Sequence, residues 1–427
     1  MGYYGPRCTW SNGRGQCSIV WKILDRGLAN DQWLAAFPAT TISHLASTGS
    51  DHNPLLMEIR VRQETGNKYF RFLNLWVDND NFKPFVKGIW DKHVSGSAMW
   101  IFHQKLKALC TGLSQWSRQE YGDIFQEAKE YEEKVKAAEM VWAQTNEEAD
   151  RANLHDLKAQ YIRYMKLEEN FLKQKTQLQW FKEGDANSKY FHSLIRGRRR
   201  KLYIHKIKDE DGQWIQGDEA IGNAACTFYR DLFTDTGASI REDLLSCIPS
   251  MITQEDNDLL SVYPTLSELK EVVFSMNPTS AAEPDDFNGK FYQSCWDIIK
   301  ANLLNVVLAF FGGCSIPKYM TSTCSVLLPK VEFPNSLSEF RPISLSNFIN
   351  KIISKVICSR LAPILPRIIS ANQSGFVRGR NISENIMLAQ EIVHGIKKPN
   401  EGSNVVIKLD MAKAYMIGCH GATPALC

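Results

Sequence analysis

Glycine and proline are almost absent between residues 101 and 180. Within that stretch Leu154, Leu157, Tyr161, Tyr164, Leu167 and Phe171 recur at spacings of three and four, with Lys and Glu between them. That period lines apolar side chains along one helical stripe, and no helix breaker interrupts it. One or two long helices are expected, paired as a helical hairpin. Taken alone, such a stretch is an amphipathic arm with no site of its own. The sequence from Trp180 to Phe191 then stops the helix at Gly184. From Ser188 to Lys208 there are eight basic residues and no acidic ones: Lys189, Arg196, Arg198, Arg199, Arg200, Lys201, Lys206 and Lys208. Tyr190, Phe191 and Tyr203 are interleaved with them. Unopposed cations neutralise phosphates and aromatic faces stack on unpaired bases, so RNA or DNA is the expected partner. The contact residues would be Lys189, Arg196, Arg198, Arg199, Arg200 and Lys201. A solvated cationic face or a nuclear-import patch is the alternative.

The flanks differ from this middle. Residues 1–62 hold short apolar runs separated by Gly, Asn and Pro, which predicts strands at Ser18–Leu24 and Leu55–Val61 and a short helix at Asp31–Phe37. Residues 63–100 are rich in aromatics, among them Phe70, Phe72, Trp76, Phe82, Phe85 and Trp90, and read as a packed connector. From about 215 onward short helices and strands alternate, with turns at Pro278, Pro284, Pro317, Pro329 and Pro342. At 427 residues, 44% hydrophobic and 23% charged, the chain has room for two or three globular domains. The net charge of +3 announces no partner, so the local distribution of charge is what matters. The 11 cysteines are odd in number and contain no CxxC pair, which excludes a disulfide scaffold and points to reduced thiols in the nucleus or cytoplasm. No apolar run reaches the length of a membrane span, and Met1–Trp10 has no signal-peptide core.

Two sets of residues carry chemistry. Ser50-Asp51-His52-Asn53-Pro54-Leu55 sits between strand-like runs. An imidazole beside a carboxylate on a strand-end loop suits phosphodiester hydrolysis, the His as base toward water and the Asp toward a divalent metal. Asp25, in Leu24-Asp25-Arg26, offers a second carboxylate that could orient the His through its other ring nitrogen. Taken with Thr9-Trp10-Ser11-Asn12-Gly13, these segments resemble the last third of the endonuclease–exonuclease–phosphatase fold of non-LTR retrotransposons. The resemblance implies that His52 is the catalytic His, Asp25 its partner and Asp51 a metal-side carboxylate. It also implies that the metal-binding Glu and the phosphate-side Asn and Asp residues would precede this sequence.

The second set runs Leu327–Lys330, Phe340-Arg341-Pro342-Ile343-Ser344-Leu345-Ser346-Asn347, Asn372-Gln373-Ser374-Gly375-Phe376-Val377-Arg378-Gly379-Arg380, and Lys408-Leu409-Asp410-Met411-Ala412-Lys413-Ala414-Tyr415. In order and spacing it is similar to the fingers and early palm of a non-LTR reverse transcriptase. Ala281–Phe291 fits the family's opening motif, with Glu283 and Asp286 where glycine is usual. The run Trp180–Lys208 resembles the segment that precedes the polymerase in plant elements. By this resemblance Asp410, following the apolar Val405-Val406-Ile407, is a catalytic metal ligand at a strand end. Tyr415 packs under the sugar, Lys330 and Arg341 clamp the triphosphate, and Gln373 with Gly375 lies near the template and nascent pair.

The sequence is therefore read as a piece of a plant LINE-type polyprotein, truncated at both ends. The expected fold is α+β: a partial endonuclease–exonuclease–phosphatase sandwich over 1–62, a long-helix and basic connector over 63–215, the fingers and first palm strand of a reverse transcriptase over 216–415, and an unrelated tail over 416–427. The family's activity is RNA-directed DNA synthesis primed at a nicked target, with Mg2+ as cofactor. Met416–Cys427 carries no Asp, Glu, Lys or Arg, and no counterpart of the second catalytic Asp pair is present. The expectation is a chain that does not bind Mg2+ productively and is catalytically inactive alone. The alternatives are a non-catalytic nucleic-acid-binding protein, or a degenerate reading frame without a stable product.

Overall fold

A computed structural model describes residues 3–14, 18–37, 40–47, 49–59, 70–176, 191, 194–195, 197–198, 202–234, 249–279, 287–321, 323–375, 377, 379–396 and 407. Helices and strands are mixed throughout. The first part contains β1 (Tyr3–Tyr4), β2 (Trp10–Ser11), β3 (Trp21–Lys22), α1 (Asp31–Ala36), β4 (Thr41–His44) and β5 (Leu55–Glu58). β1 runs parallel and β5 antiparallel to the central β4, while β2 and β3 form a separate antiparallel ribbon. Helix α1 starts where expected because the Asn30 side chain accepts the Trp33 N–H at 2.8 Å. The expected strand at Ser18–Leu24 shrinks to two residues. The Asn12 side chain takes its backbone groups instead, accepting the Val20 N–H at 2.9 Å and donating to the Ser18 carbonyl at 3.0 Å. The expected strand from Leu55 ends at Glu58 among the described residues.

Next come α2 (Phe82–Trp90), α3 (Ala98–Tyr121), α4 (Ile124–Thr145) and α5 (Glu148–Thr176). Where one or two long helices were expected there are three. Gly122, at φ +59°, ends α3, and the Asp123 side chain caps α4 by accepting the Phe125 N–H at 3.1 Å. Asn146, at φ +54°, turns α4 into α5. The two helices form an antiparallel hairpin, with Tyr131 stacked on Tyr164 at 5.2 Å and Lys158 paired with Glu139 at 2.8 Å.

The chain continues through β6 (Lys206–Lys208), β7 (Trp214–Gln216), α6 (Asp218–Phe233), α7 (Gln254–Ser261), α8 (Leu266–Ser275), α9 (Gly289–Ser294), α10 (Trp296–Phe311), α11 (Lys318–Thr321), β8 (Cys324–Pro329), β9 (Phe340–Leu345), α12 (Phe348–Leu361), α13 (Leu365–Ile368) and α14 (Ile382–Ile396). The boundary drawn at 215/216 does not coincide with a break in packing. One hydrophobic core joins Phe72, Phe82, Phe102 and Trp116 to Val273, Phe291, Ile299 and Ile352. The Trp90 indole N–H donates to Asn302 Oδ1 at 2.9 Å across it. A smaller core closes Ile207 and Ile221 over Leu337 and Phe340, so the β6–β7 hairpin belongs with the β8–β9 region. The physical reason is that the aromatic stretch after residue 70 is too apolar to stay exposed, and it buries against α9 and α10.

The N-terminal sheet is joined to this body through Lys206. Its ammonium donates to Ser43 Oγ at 2.6 Å, lies 4.9 Å from the centres of the Tyr4 and Trp214 rings, and is 4.0 Å from Glu58. Tyr3 adds a ring contact with Phe333 at 4.2 Å. The described cysteines (Cys8, Cys110, Cys226, Cys295, Cys314, Cys324 and Cys358) are all free. Among the described residues no helix is long and apolar enough to cross a membrane.

Candidate functional site

The loop after β4 and the β2–β3 ribbon meet at His52. Trp10 and His52 form an isolated antiparallel bridge, and Ser11 N–H donates to the Asp51 carbonyl at 3.1 Å. On the other side the buried Thr9 hydroxyl oxygen accepts the N–H groups of Leu24 and Asp25, both at 3.0 Å. These bonds bring Asp25 under the imidazole: His52 Nδ1 is 2.8 Å from Asp25 Oδ2. The carboxylate can only accept, so Nδ1 carries the proton and Nε2 is the ring nitrogen left for chemistry. The hydrogen bond to His52 holds the Asp25 carboxyl below its ordinary value, with the Thr9 hydroxyl assisting. The same bond, with the charges of Asp25 and Asp51, raises the imidazole above its ordinary value. Both side chains are partly exposed, at 44% for His52 and 35% for Asp25, so water and substrate reach them. Asp51 is fixed separately, its Oδ2 accepting the Trp10 indole N–H at 2.8 Å. Thr9 and Trp10 thus hold the two carboxylates in place. Their presence in the motif was visible in the sequence, but their partners were not.

The donor set does not fit a divalent ion by itself. Asp25 and Asp51 each already accept a side-chain hydrogen bond, and hard cations take about six oxygens. Among the described residues no group of three or more His, Cys, Asp or Glu side chains is placed to hold a metal.

The second set of residues lies around the β8–β9 hairpin. Leu328 stands opposite Arg341, and Lys330 N–H donates to the Glu339 carbonyl at 2.7 Å, so the register puts Lys330 and Arg341 on one face. Arg341 is exposed, whereas the Lys330 ammonium donates to the Ser338 carbonyl at 2.7 Å. The loop carrying Gln373 and Gly375 is organised by Arg380, whose guanidinium donates to the carbonyls of Gln373 at 2.6 Å and Ile369 at 3.0 Å, and also to Ser370 and Pro366. Gln373 Nε2 reaches the Gly375 carbonyl at 3.4 Å. Arg380 closes the motif read from sequence, and its role in shaping the loop appears only in three dimensions. Arg198 is exposed and donates to the Thr176 carbonyl at 2.5 Å, tying the basic run to the end of α5. Lys206, from the same run, is turned inward. Asp410, Tyr415, Lys189, Arg196, Arg199, Arg200 and Lys201 lie outside the described residues, as do Glu283 and Asp286.

Residues 328–416 match the family model described as reverse transcriptase (RNA-dependent DNA polymerase). The chain is also 24% identical over 381 residues to a protein of Xenopus laevis named "Transposon TX1 uncharacterized 149 kDa protein". The aligned part is 86% of this chain and 28% of that relative, so the chain spans less than a third of the relative's length. A reverse transcriptase domain and similarity to a transposon protein were both read from the motifs. The interval 328–416 contains Lys330, Arg341, Gln373, Gly375, Asp410 and Tyr415. The amphibian relative carries no information about a plant source.

Proposed function

We propose that this chain is part of a LINE-type retrotransposon's RNA-directed DNA polymerase, joined to a unit of endonuclease–exonuclease–phosphatase type. The match of residues 328–416 carries the polymerase half of this reading. Lys330 and Arg341, sharing a face of the β8–β9 hairpin, supply cations for a triphosphate, the guanidinium fork suiting phosphate oxygens. In this reading Gln373 and Gly375 serve the template and nascent pair, and Tyr415 serves to select the sugar. Asp410 is the metal-side carboxylate, and polymerases of this family use divalent ions for nucleotidyl transfer. From Met411 to Cys427 the sequence contains no Asp or Glu. Asp410 is the one catalytic carboxylate that the motif supplies here, and the reading is that the 427-residue polypeptide taken alone does not extend a primer. Its partners are RNA and DNA, in the nucleus or cytoplasm.

Photo-crosslinking of a deoxynucleoside triphosphate to the full chain, bound to an RNA template with a DNA primer, tests the polymerase reading. Labelling within 328–416 is expected, with loss in the Lys330→Ala, Arg341→Ala double variant. Absent or unchanged labelling would remove the assignment. Primer extension by the same protein tests inactivity: none is expected, and metal-dependent extension abolished by Asp410→Ala would overturn that part alone.

The His52 Nδ1 to Asp25 Oδ2 contact at 2.8 Å favours a second reading, phosphodiester cleavage by the N-terminal unit. An oriented imidazole with Nε2 exposed can take a proton from water or steady a charged phosphate. Nicking of supercoiled DNA that disappears in His52→Ala and Asp25→Asn would support it. Nicking that survives both substitutions would assign the cut to something else.

A further inference from the structure

A cleft runs beside α5, away from both sites described above. It consists of two adjoining hollows that share Leu75, Asp78 and Asn170 as walls and together follow α5 from Ala159 to Gln174. At a rise of 1.5 Å per residue that path is about 22 Å long. The opposite wall is the 3-10 turn Asn74–Asp78, joined at one end by the turn between α8 and α9.

The walls are rigid for identifiable reasons. Gln174 Nε2 donates to the Phe72 carbonyl at 2.8 Å while its Oε1 accepts the Asn74 N–H at 2.8 Å, tying α5 to the 3-10 turn. Asn74 Oδ1 in turn accepts from the buried Asn288 Nδ2 at 2.9 Å, and the Asn288 side chain caps α9. Gly289 sits so close to the preceding turn that a Cβ would lie 2.7 Å from the Asn277 carbonyl oxygen. Lys290 N–H then donates to the Pro278 carbonyl at 3.0 Å, which places Lys290 on the cleft.

The charge on this surface is one-sided. Arg163, Lys166 and Asn170 follow one another at spacings of three and four, which puts them on one face of α5. Arg163, Lys166 and Lys290 make no ion pair among the described residues, whereas Lys173 is held by Glu169 at 2.6 Å. Among the described residues Asp78 is the only acidic one in the walls. The walls offer, again among the described residues, cations and amides and no aromatic ring. The cleft leads toward Thr176, whose carbonyl is held by Arg198 of the basic run.

We propose that this cleft binds the sugar–phosphate backbone of a single nucleic-acid strand through Arg163, Lys166 and Lys290, without reading its bases. Only the ligand class rests on the polymerase reading above. The position and mode of binding come from the cleft itself, which would act as a track for the strand along α5.

The test is fluorescence anisotropy of a labelled oligouridylate on the full 427-residue chain across a range of KCl, with no divalent ion and no nucleotide present. Single-strand binding loses a slope of about 0.7 in log K against log salt for each phosphate contact removed. The triple variant R163A/K166A/K290A is therefore expected to lower the slope by about 2. The charge-retaining R163K/K166R/K290R is expected to restore it. The control K129A/K134A/K136A, with the same change of net charge on α4, is expected to leave the slope unchanged. Were the alanine triple to lose helical circular dichroism, single glutamine variants at the three positions would each be expected to lower the slope by about 0.7. An unchanged slope in the cleft variants, or an equal drop in the α4 control, overturns the proposal. Because no nucleotide or metal is present, either result is separate from the crosslinking and extension outcomes.

Discussion

At the scale of single residues, the His52–Asp25 pair makes a definite prediction about acid–base behaviour. The hydrogen bond from His52 is the main cause of the lowered Asp25 carboxyl, and the same bond raises the imidazole. The carboxylate's share of stability is fully present above its unfolded pKa of about 3.9 and lost as pH falls through the lowered folded value. The imidazole's share is fully present below about 6.5 and lost as pH rises through the raised folded value. The pair therefore helps most between those two limits. NMR titration of His52 should give a midpoint above the ordinary histidine value, and Asp25→Asn should bring it down. A midpoint unchanged by Asp25→Asn would show that the contact is not formed in solution. The pairing of these two residues was expected from the resemblance their motifs carry, not from local pattern, and the contact itself appears only in three dimensions. Lys206 was not legible in the same way. Sequence groups it with the free cations of the basic run, whereas its position on β6 turns it between Tyr4 and Trp214.

At the scale of elements, α12 is locked to α7 and α8 by Arg360. Its Nε and Nη2 donate to the two oxygens of Glu268, both at 2.7 Å, and Nη1 donates to the carbonyls of Leu260 and Val262. The guanidinium also lies 5.0 Å from the centre of the Phe311 ring. The Arg360 side chain is only 6% exposed, so Glu268→Ala leaves a buried charge without its partner. A loss of roughly 3–5 kcal/mol is expected from such a break, measured by urea unfolding. A loss below about 1 kcal/mol, the range of surface pairs, would mean that the pair is solvated in practice. Helix content was predictable because apolar spacing repeats locally. The break at Gly122-Asp123 is also written in the sequence, as a glycine that can take positive φ followed by a capping Asp. Strand β4 gave no signal. Its four residues are all buried, so no polar and apolar alternation marks them.

At the scale of the whole molecule, one hydrophobic core is shared by residues before and after position 216. Trp90 and Asn302 are 212 residues apart in sequence, and no local pattern announces such a pairing. A polypeptide of residues 216–427 would expose the faces of α9 and α10 that Phe72, Phe102 and helix α3 cover. It is expected to aggregate or to unfold without a cooperative transition, where the full chain unfolds cooperatively. A sharp, reversible melt of the shorter polypeptide would contradict the shared core. Within that core, Phe102→Ala should cost about 3–5 kcal/mol, as is usual for a fully buried phenylalanine.

The placement of one lysine also sets how the molecule moves. A desolvated cation between two rings contributes about 2 kcal/mol, which helps to hold the N-terminal sheet against the helical body. With Lys206 in place, spin relaxation of amides in β4 and in α10 should report a single rotational correlation time. With Lys206→Ala, amides of β4 should show a shorter correlation time than those of α10.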